Sequence, residues 1–243
     1  MQAIKDFVDG EHVYTQLLVI SANKCVTTQG RTYLNLTLQD STGTISGKKW
    51  DVFDGDFEVF VEGNVVAVEG EVLKYQNALQ FKVISGTLVP ASNIDVTKFI
   101  QQAPEAREDL EKELKGYIDS LEEGELKEMT KYLINKFYDA YIIHPAAVRN
   151  HHNFCSGLLY HSISMARMAE EVCKIYPHLN RDWVIAGALI HDLGKTIELS
   201  GAMCTKYTVE GNLVGHISIM VAEIRMAANE LGISGETLTL LEH

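Results

Sequence analysis

The chain of 243 residues is poor in cysteine, long apolar runs and positive charge. Its four cysteines, Cys25, Cys155, Cys173 and Cys204, lie far apart and form no C-x-x-C pair. Free thiols in a reducing cytoplasm are the simplest reading. The longest apolar stretch, Val184 to Ile190, is short and interrupted by Gly187. A membrane helix needs roughly 20 apolar residues, so no membrane partner is expected. The N-terminal MQAIKDFVDG carries charges where a signal peptide would have its apolar region. Net charge is −12, from 21 Lys+Arg against 33 Asp+Glu. The deficit is spread over both halves: 7 against 11 in residues 1–90, and therefore 14 against 22 in residues 91–243. Such a chain does not wrap long nucleic acid through its overall field; a nucleic acid would need a local groove or a metal site. No internal repeat or low-complexity segment stands out.

What is present is ordinary globular material, 46% hydrophobic and 22% charged, enough for one large domain or two small ones. Residues 13–90 alternate with the period of strands. In Thr32-Tyr33-Leu34-Asn35-Leu36-Thr37-Leu38 the three leucines face one way. Turn signals at Gln29-Gly30, Ser41-Thr42-Gly43, Gly63-Asn64 and Gln76-Asn77 separate five strands, near 13–22, 31–39, 43–51, 64–74 and 78–89. Five strands with a longer gap before the fourth fit a small Greek-key barrel of the OB type, although another small β-barrel or sandwich would alternate similarly.

Beyond Pro90 the period becomes helical. A short helix is expected at 95–103. A charged helix is expected to 120, with Pro104 as its first residue, then helices at 125–141, 157–176, 181–191, 211–231 and 235–243, with an extended piece at Lys206 to Val209. The fold class is therefore α+β with two domains. Its division is a barrel at 1–90, a helical linker at 91–143 and an all-α domain at 144–243.

The histidines are unevenly placed: seven of nine fall between 144 and 216. His161 shares an apolar stripe with Leu158, Met165 and Met168. His191 follows Val184 and Gly187 on a face that should be buried, Asp192 comes next, and Gly194 is expected to end the helix. His216 opens a further stripe with Ile219, Met220 and Ile224. Imidazoles and a carboxylate converging from several helices form a ligand set for a divalent metal. A single inward histidine is more often a hydrogen-bonded core residue; three of them with Asp192 shift the balance towards a metal.

The run Ala188-Leu189-Ile190-His191-Asp192-Leu193-Gly194-Lys195, whose His191 lies thirty residues after His161, resembles the HD-domain phosphohydrolase superfamily. Together with His151-His152-Asn153-Phe154-Cys155-Ser156-Gly157-Leu158-Leu159-Tyr160-His161 and Gly211-Asn212-Leu213-Val214-Gly215-His216-Ile217, it resembles the YhaM-type 3′→5′ exoribonuclease family, which couples an N-terminal OB-fold to a C-terminal HD domain. The resemblance implies that His161, His191 and Asp192 are metal ligands, with His216 a further ligand in a two-metal version. The implied metal is manganese. Asp192 would bridge the ions, and a metal-activated water, not a side chain, would attack the phosphodiester. Lys195 would lie near the phosphate, and His151 and His152 at the mouth of the site. Arg149 and Arg167 are phosphate contacts or ordinary surface cations. The superfamily also needs a later aspartate, and none follows Asp192. The expectation is thus a partial HD domain and an inactive or weakened chain, with His243 either native or the start of an encoded tag.

In the barrel, single-stranded RNA or DNA would be held by rings and cations. Tyr33, Trp50, Tyr75 and Phe81 supply the rings, and Lys24, Arg31, Lys48, Lys49, Lys74 and Lys82 the charges, with Lys48-Lys49-Trp50 the most suggestive cluster. Two other functions compete with the exonuclease: an HD phosphohydrolase of small nucleotides, and a non-catalytic single-strand binding protein. Self-association through the charged 104–120 helix is open.

Overall fold

The computed structural model describes residues 2–148 and 152–243. It divides into two compact units, Met1–Gln101 and Gln102–His243.

The first unit is a closed barrel of β1 (His12–Val26), β2 (Thr32–Asp40), β3 (Gly43–Lys49), β4 (Val65–Tyr75) and β5 (Ala78–Leu88), in the order β1-β2-β3-β5-β4. All neighbours are antiparallel except β3 and β5. The long β1 serves two partners: its residues 12–18 pair with β4 and its residues 18–26 with β2, with a register shift between Val19 and Ser21. Such shifts bend a strand and let a sheet close. A second shift falls between Glu69 and Gly70. There a Cβ on Gly70 would stand 2.5 Å from the Lys82 carbonyl oxygen, so the barrel wall closes only over glycine.

Alternation fills the interior. Leu34, Leu36 and Leu38 are buried with Leu17, Val19, Val66, Val68, Val72, Phe81 and Val83. The Asp40 turn works as its sequence suggests: Oδ1 accepts from the backbone of Thr42 and Gly43, while Oδ2 accepts from the Ile4 N–H. Gln76 and Asn77, both at positive φ, make the β4–β5 hairpin turn. The gap before β4 contains a short helix, α1 (Asp56–Val59).

The helix expected at 95–103 is absent. Two 3-10 turns, Ala91–Asn93 and Val96–Lys98, occupy this stretch. The Asp95 side chain caps the second, and the Ser41 N–H and the Gln39 amide bind the Lys98 and Phe99 carbonyls. Those carbonyls are thus spent on the barrel and not on a helix.

The second unit holds α2 (Arg107–Ser120), α3 (Glu125–Tyr141), α4 (Gly157–Ile175), α5 (Arg181–Ile190), α6 (Lys195–Glu198), α7 (Val209–Leu213), α8 (His216–Leu231) and α9 (Glu236–Glu242). Pro104 does not open α2, whose cap is Ala106. Gln102 bridges Cys155 and the Ala103 N–H donates to the Cys155 carbonyl, which keeps this stretch extended. Nor is 91–143 a linker in the sense of a segment outside both cores. Phe99 and Ile100 are buried within the first unit, and α2 and α3 contribute Leu110, Leu114, Met129, Leu133, Ile134 and Tyr141 to one core with Leu158 and Ile163 of α4 and Ile185 and Leu189 of α5. The single helix expected at 211–231 is two, separated at Gly215, whose φ of 78° no ordinary helical residue adopts. The extended piece near Lys206 reduces to one bridge, Leu199 to Tyr207.

Candidate functional site

His161 stands on α4, and its position three residues beyond Leu158 turns it towards α5, against which α4 packs. α5 ends at Ile190, and His191 and Asp192 occupy the following turn. Gly194 heads α6 and does not close α5. A Cβ there would lie 2.2 Å from the His216 carbonyl oxygen, so glycine lets the N-terminus of α8 come up against the His-Asp turn. This close approach brings His161, His191, Asp192, Lys195 and His216 together.

Asp192 is the hub. Its Oδ2 lies 3.4 Å from His161 Nε2, 3.4 Å from His191 Nε2 and 2.8 Å from Lys195 Nζ. Its Oδ1 lies 3.5 Å from His216 Nε2. Burial alone would raise the Asp192 carboxyl, but hydrogen bonds from His191 and Lys195 outweigh it and hold the group well below the usual carboxylate range. Burial pulls His161 down to about 4, with the Asp192 charge opposing. Burial also acts downwards on His191, yet its hydrogen bond to Asp192 and that charge leave the net shift upwards. His191 Nδ1 lies 3.0 Å from the Ala188 carbonyl oxygen. A carbonyl only accepts, so Nδ1 carries a hydrogen, and Nε2 is the nitrogen turned towards Asp192.

These residues fit a divalent cation. One ligand atom each from His161, His191 and Asp192 lie within 4.8 Å of one another. Atoms bound about 2.1 Å from a single ion are roughly 3–3.5 Å apart, and the Oδ2 to Nε2 separations match that span. The ionised Asp192 carboxylate and the His161 ring, which burial keeps neutral, are in the protonation states a metal requires. Of the histidines expected at the mouth, His152 lies beside His161 with ring centroids 5.4 Å apart. His151 and Arg149 lie outside the described residues. Arg167 is neither a phosphate contact nor a free surface cation. Its guanidinium is shared between Glu105 and Glu113, 2.6–2.8 Å away, which ties α4 to α2 and the segment before it.

One residue escaped the sequence reading. Glu198, at the end of α6, is buried, and its Oε1 accepts from both the backbone N–H and Nδ1 of His216. The available signal was a lone acid between Ile197 and Leu199, six residues beyond Asp192.

On the barrel, Tyr33 and Trp50 stack with centroids 4.7 Å apart, and Lys48 Nζ lies 5.4 Å from the Trp50 ring. Lys48, Trp50, Lys74, Tyr75, Phe81 and Lys82 are among the residues lining a cavity of about 530 Å³. Trp50 and Tyr75 are exposed, whereas Phe81 is wholly buried core. Lys49 does not belong to this surface. Strand alternation turns it away from Lys48, and its buried ammonium donates to the Asp51 and Ile84 carbonyls and pairs with Asp56 at 3.4 Å. Among the described residues, no helix is long and apolar enough to cross a membrane.

Residues 19–89 match the family described as OB-fold nucleic acid binding domain, and residues 158–241 match the HD domain family. Among solved structures, the second OB-fold domain of replication protein A from Methanococcus maripaludis aligns at 23% identity, covering 38% of this chain and 98% of that one, with a TM-score of 0.32. The OB domain of Ta0387 from Thermoplasma acidophilum aligns at 14% identity, covering 39% and 89%, with a TM-score of 0.28. The 3′-5′ exoribonuclease YhaM of Geobacillus sp. (strain WCH70) is 43% identical over 235 residues, spanning 96% of this chain and 72% of that protein. With an OB-fold match followed by an HD-domain match, and 43% identity to that exoribonuclease along nearly its whole length, the chain belongs to the YhaM exoribonuclease family.

Proposed function

We propose that the chain is a metal-dependent 3′→5′ exonuclease acting on single-stranded RNA, with single-stranded DNA a secondary substrate and manganese the working ion. The observation that carries the reading is the convergence of His161 from α4 with His191 and Asp192 from the turn after α5, their ligand atoms within 4.8 Å of one another. A divalent cation bound there supplies Lewis-acid chemistry: it acidifies water and offsets phosphate charge.

The chain's own groups do the rest. The Ala188 carbonyl fixes the His191 ring so that Nε2 points inward. Asp192 offers one oxygen towards His161 and His191 and the other towards His216, the arrangement a bridging carboxylate needs. Lys195, 2.8 Å from Asp192, brings a compact positive charge to the place where a phosphate would gain negative charge. Tyr33, Trp50, Tyr75, Lys48, Lys74 and Lys82 give the barrel ring faces and cations for a strand, which hold it with little choice of base.

The test is a 5′-labelled oligoribonucleotide incubated with the protein and manganese. A ladder shortening from the 3′ end, abolished by a chelator, is the expected result. An intact but retarded oligomer under every metal contradicts the nuclease reading, and release of phosphate from mononucleotides alone makes the site a small-nucleotide phosphohydrolase.

A further inference from the structure

Between the His-Asp turn and α8 lies a buried carboxylate that the nuclease reading leaves without a role. Glu198 exposes 10% of its side chain, and its Oε1 lies 3.1 Å from the His216 backbone nitrogen and 2.9 Å from His216 Nδ1. The surroundings are built to keep it there. Its backbone carbonyl accepts from the Thr208 N–H at 2.9 Å, and the Thr208 hydroxyl donates to the Ile197 carbonyl at 3.0 Å. A Cβ on Gly211 would fall 2.3 Å from the Glu198 carbonyl oxygen and 2.8 Å from its Cγ, so α7 reaches α6 only through glycine.

The hydrogen bonding of Oε1 has a consequence for the far side of the ring. A backbone N–H can only donate, so Oε1 is an acceptor, and the ring nitrogen that shares it is the one carrying hydrogen. In the neutral ring Nε2 is then the nitrogen with the lone pair, and it faces Asp192 Oδ1 at 3.5 Å. A carboxylate behind a histidine that faces a metal fixes both the tautomer and the angle of the ring.

We propose that Glu198 is a positioning residue that locks His216 in the Nδ1-protonated form and aims Nε2 at a cation shared with Asp192. The inference rests on the metal-site reading above and adds a residue to it. Glu198 is not itself a ligand in this assignment, because its Oε1 is occupied by two donors from His216.

The deciding measurement is the nitrogen NMR spectrum of His216 in metal-free protein, assigned with His216→Gln. The wild type is expected to show a hydrogen-bearing Nδ1 and a bare Nε2. Glu198→Ala is expected to move the hydrogen towards Nε2, and Glu198→Gln, which keeps an acceptor oxygen, to restore the wild-type pattern. In parallel, calorimetric titration with manganese is expected to show affinity about 10–100-fold weaker in Glu198→Ala. A wild-type His216 protonated on Nε2, or a tautomer that Glu198→Ala leaves unmoved, overturns the inference. If Glu198→Ala fails to fold, the wild-type and Glu198→Gln spectra still decide it. A wild type that binds no manganese counts against the metal-site reading, while the nitrogen signals continue to judge Glu198.

Discussion

His161 Nε2 and Asp192 Oδ2 stand 3.4 Å apart although thirty residues separate them in the chain. The packing of α4 against α5 produces that proximity, so the ligand set is held by the same buried contacts that stabilise the helical unit. A rigid frame of this kind spends little free energy on ordering ligands when a cation arrives.

The ligand assignment predicts a separation of binding from turnover. His191→Ala and Asp192→Ala should each lower the rate of oligomer shortening by more than the roughly 100-fold typical of losing a mere outer partner. Retention of labelled oligomer in a filter or gel assay should be unchanged, because the proposed strand-binding residues lie in the barrel. Intact turnover in the double variant would show the metal assignment to be wrong.

Lys49 and Trp50 are adjacent in sequence and should behave differently. Trp50→Ala removes an exposed ring stacked on Tyr33 and should weaken oligomer binding by about 1–3 kcal/mol with little change in melting temperature. Lys49→Met leaves Asp56 and two carbonyls without their buried ammonium. Breaking such a pair costs on the order of 3–5 kcal/mol, so its expected signature is a destabilised barrel in chemical denaturation. Binding losses of equal size in both variants, at unchanged stability, would contradict the placement of Lys49.

Gly194→Ala tests the close approach at the His-Asp turn. The added methyl would meet the His216 carbonyl, which belongs to backbone and cannot swing aside. Destabilisation of about 1–3 kcal/mol, as in other overpacked sites, should accompany loss of manganese binding. Gly187→Ala, where a Cβ meets nothing within 4 Å, is the control and should leave both properties near the wild type.

His144 predicts an acid-sensitive helical unit. Its ring is buried, its Nδ1 has no hydrogen-bond partner among the described residues, and burial lowers its pKa from the ordinary 6.5. As pH falls through that ordinary value the unfolded chain takes up a proton that the native chain refuses. The unfolded state then binds more protons, so this histidine makes stability decline from about pH 6.5 down to its lowered native pKa. Urea denaturation at pH 7.5 and pH 5.5 should show a smaller difference in His144→Phe than in the wild type. An equal or larger difference would mean that the loss arises elsewhere.

Much of this arrangement was legible in the sequence because it rests on local periods. Leu34, Leu36 and Leu38 announce a strand with one buried face, and the structure buries all three. Leu126, Met129, Tyr132, Leu133 and Phe137 recur at helical spacing, and the helix spans Glu125–Tyr141 as expected. Close backbone approaches were not legible. Gly194 reads as a helix stop, yet its role is set by His216, twenty-two residues away. The segment 95–103 has helical periodicity, yet Gln39 and Ser41 claim its carbonyls. Both effects come from partners distant in sequence.

The candidate site divides in the same way. His161, His191 and Asp192 were readable because helical spacing turns them inward and the surrounding runs resemble a known family. Lys49 was misread because adjacency to Lys48 suggested a shared surface, whereas strand alternation sends neighbours to opposite faces. Glu198 escaped because its importance lies in two hydrogen bonds across eighteen residues, both from His216.

The most direct test of the metal centre is X-ray diffraction from manganese-soaked crystals, recorded on both sides of the manganese absorption edge. An anomalous peak within bonding distance of His161 Nε2, His191 Nε2 and an Asp192 oxygen is the predicted result. A peak bound elsewhere on the chain, or these three side chains found pointing apart around none, would contradict it.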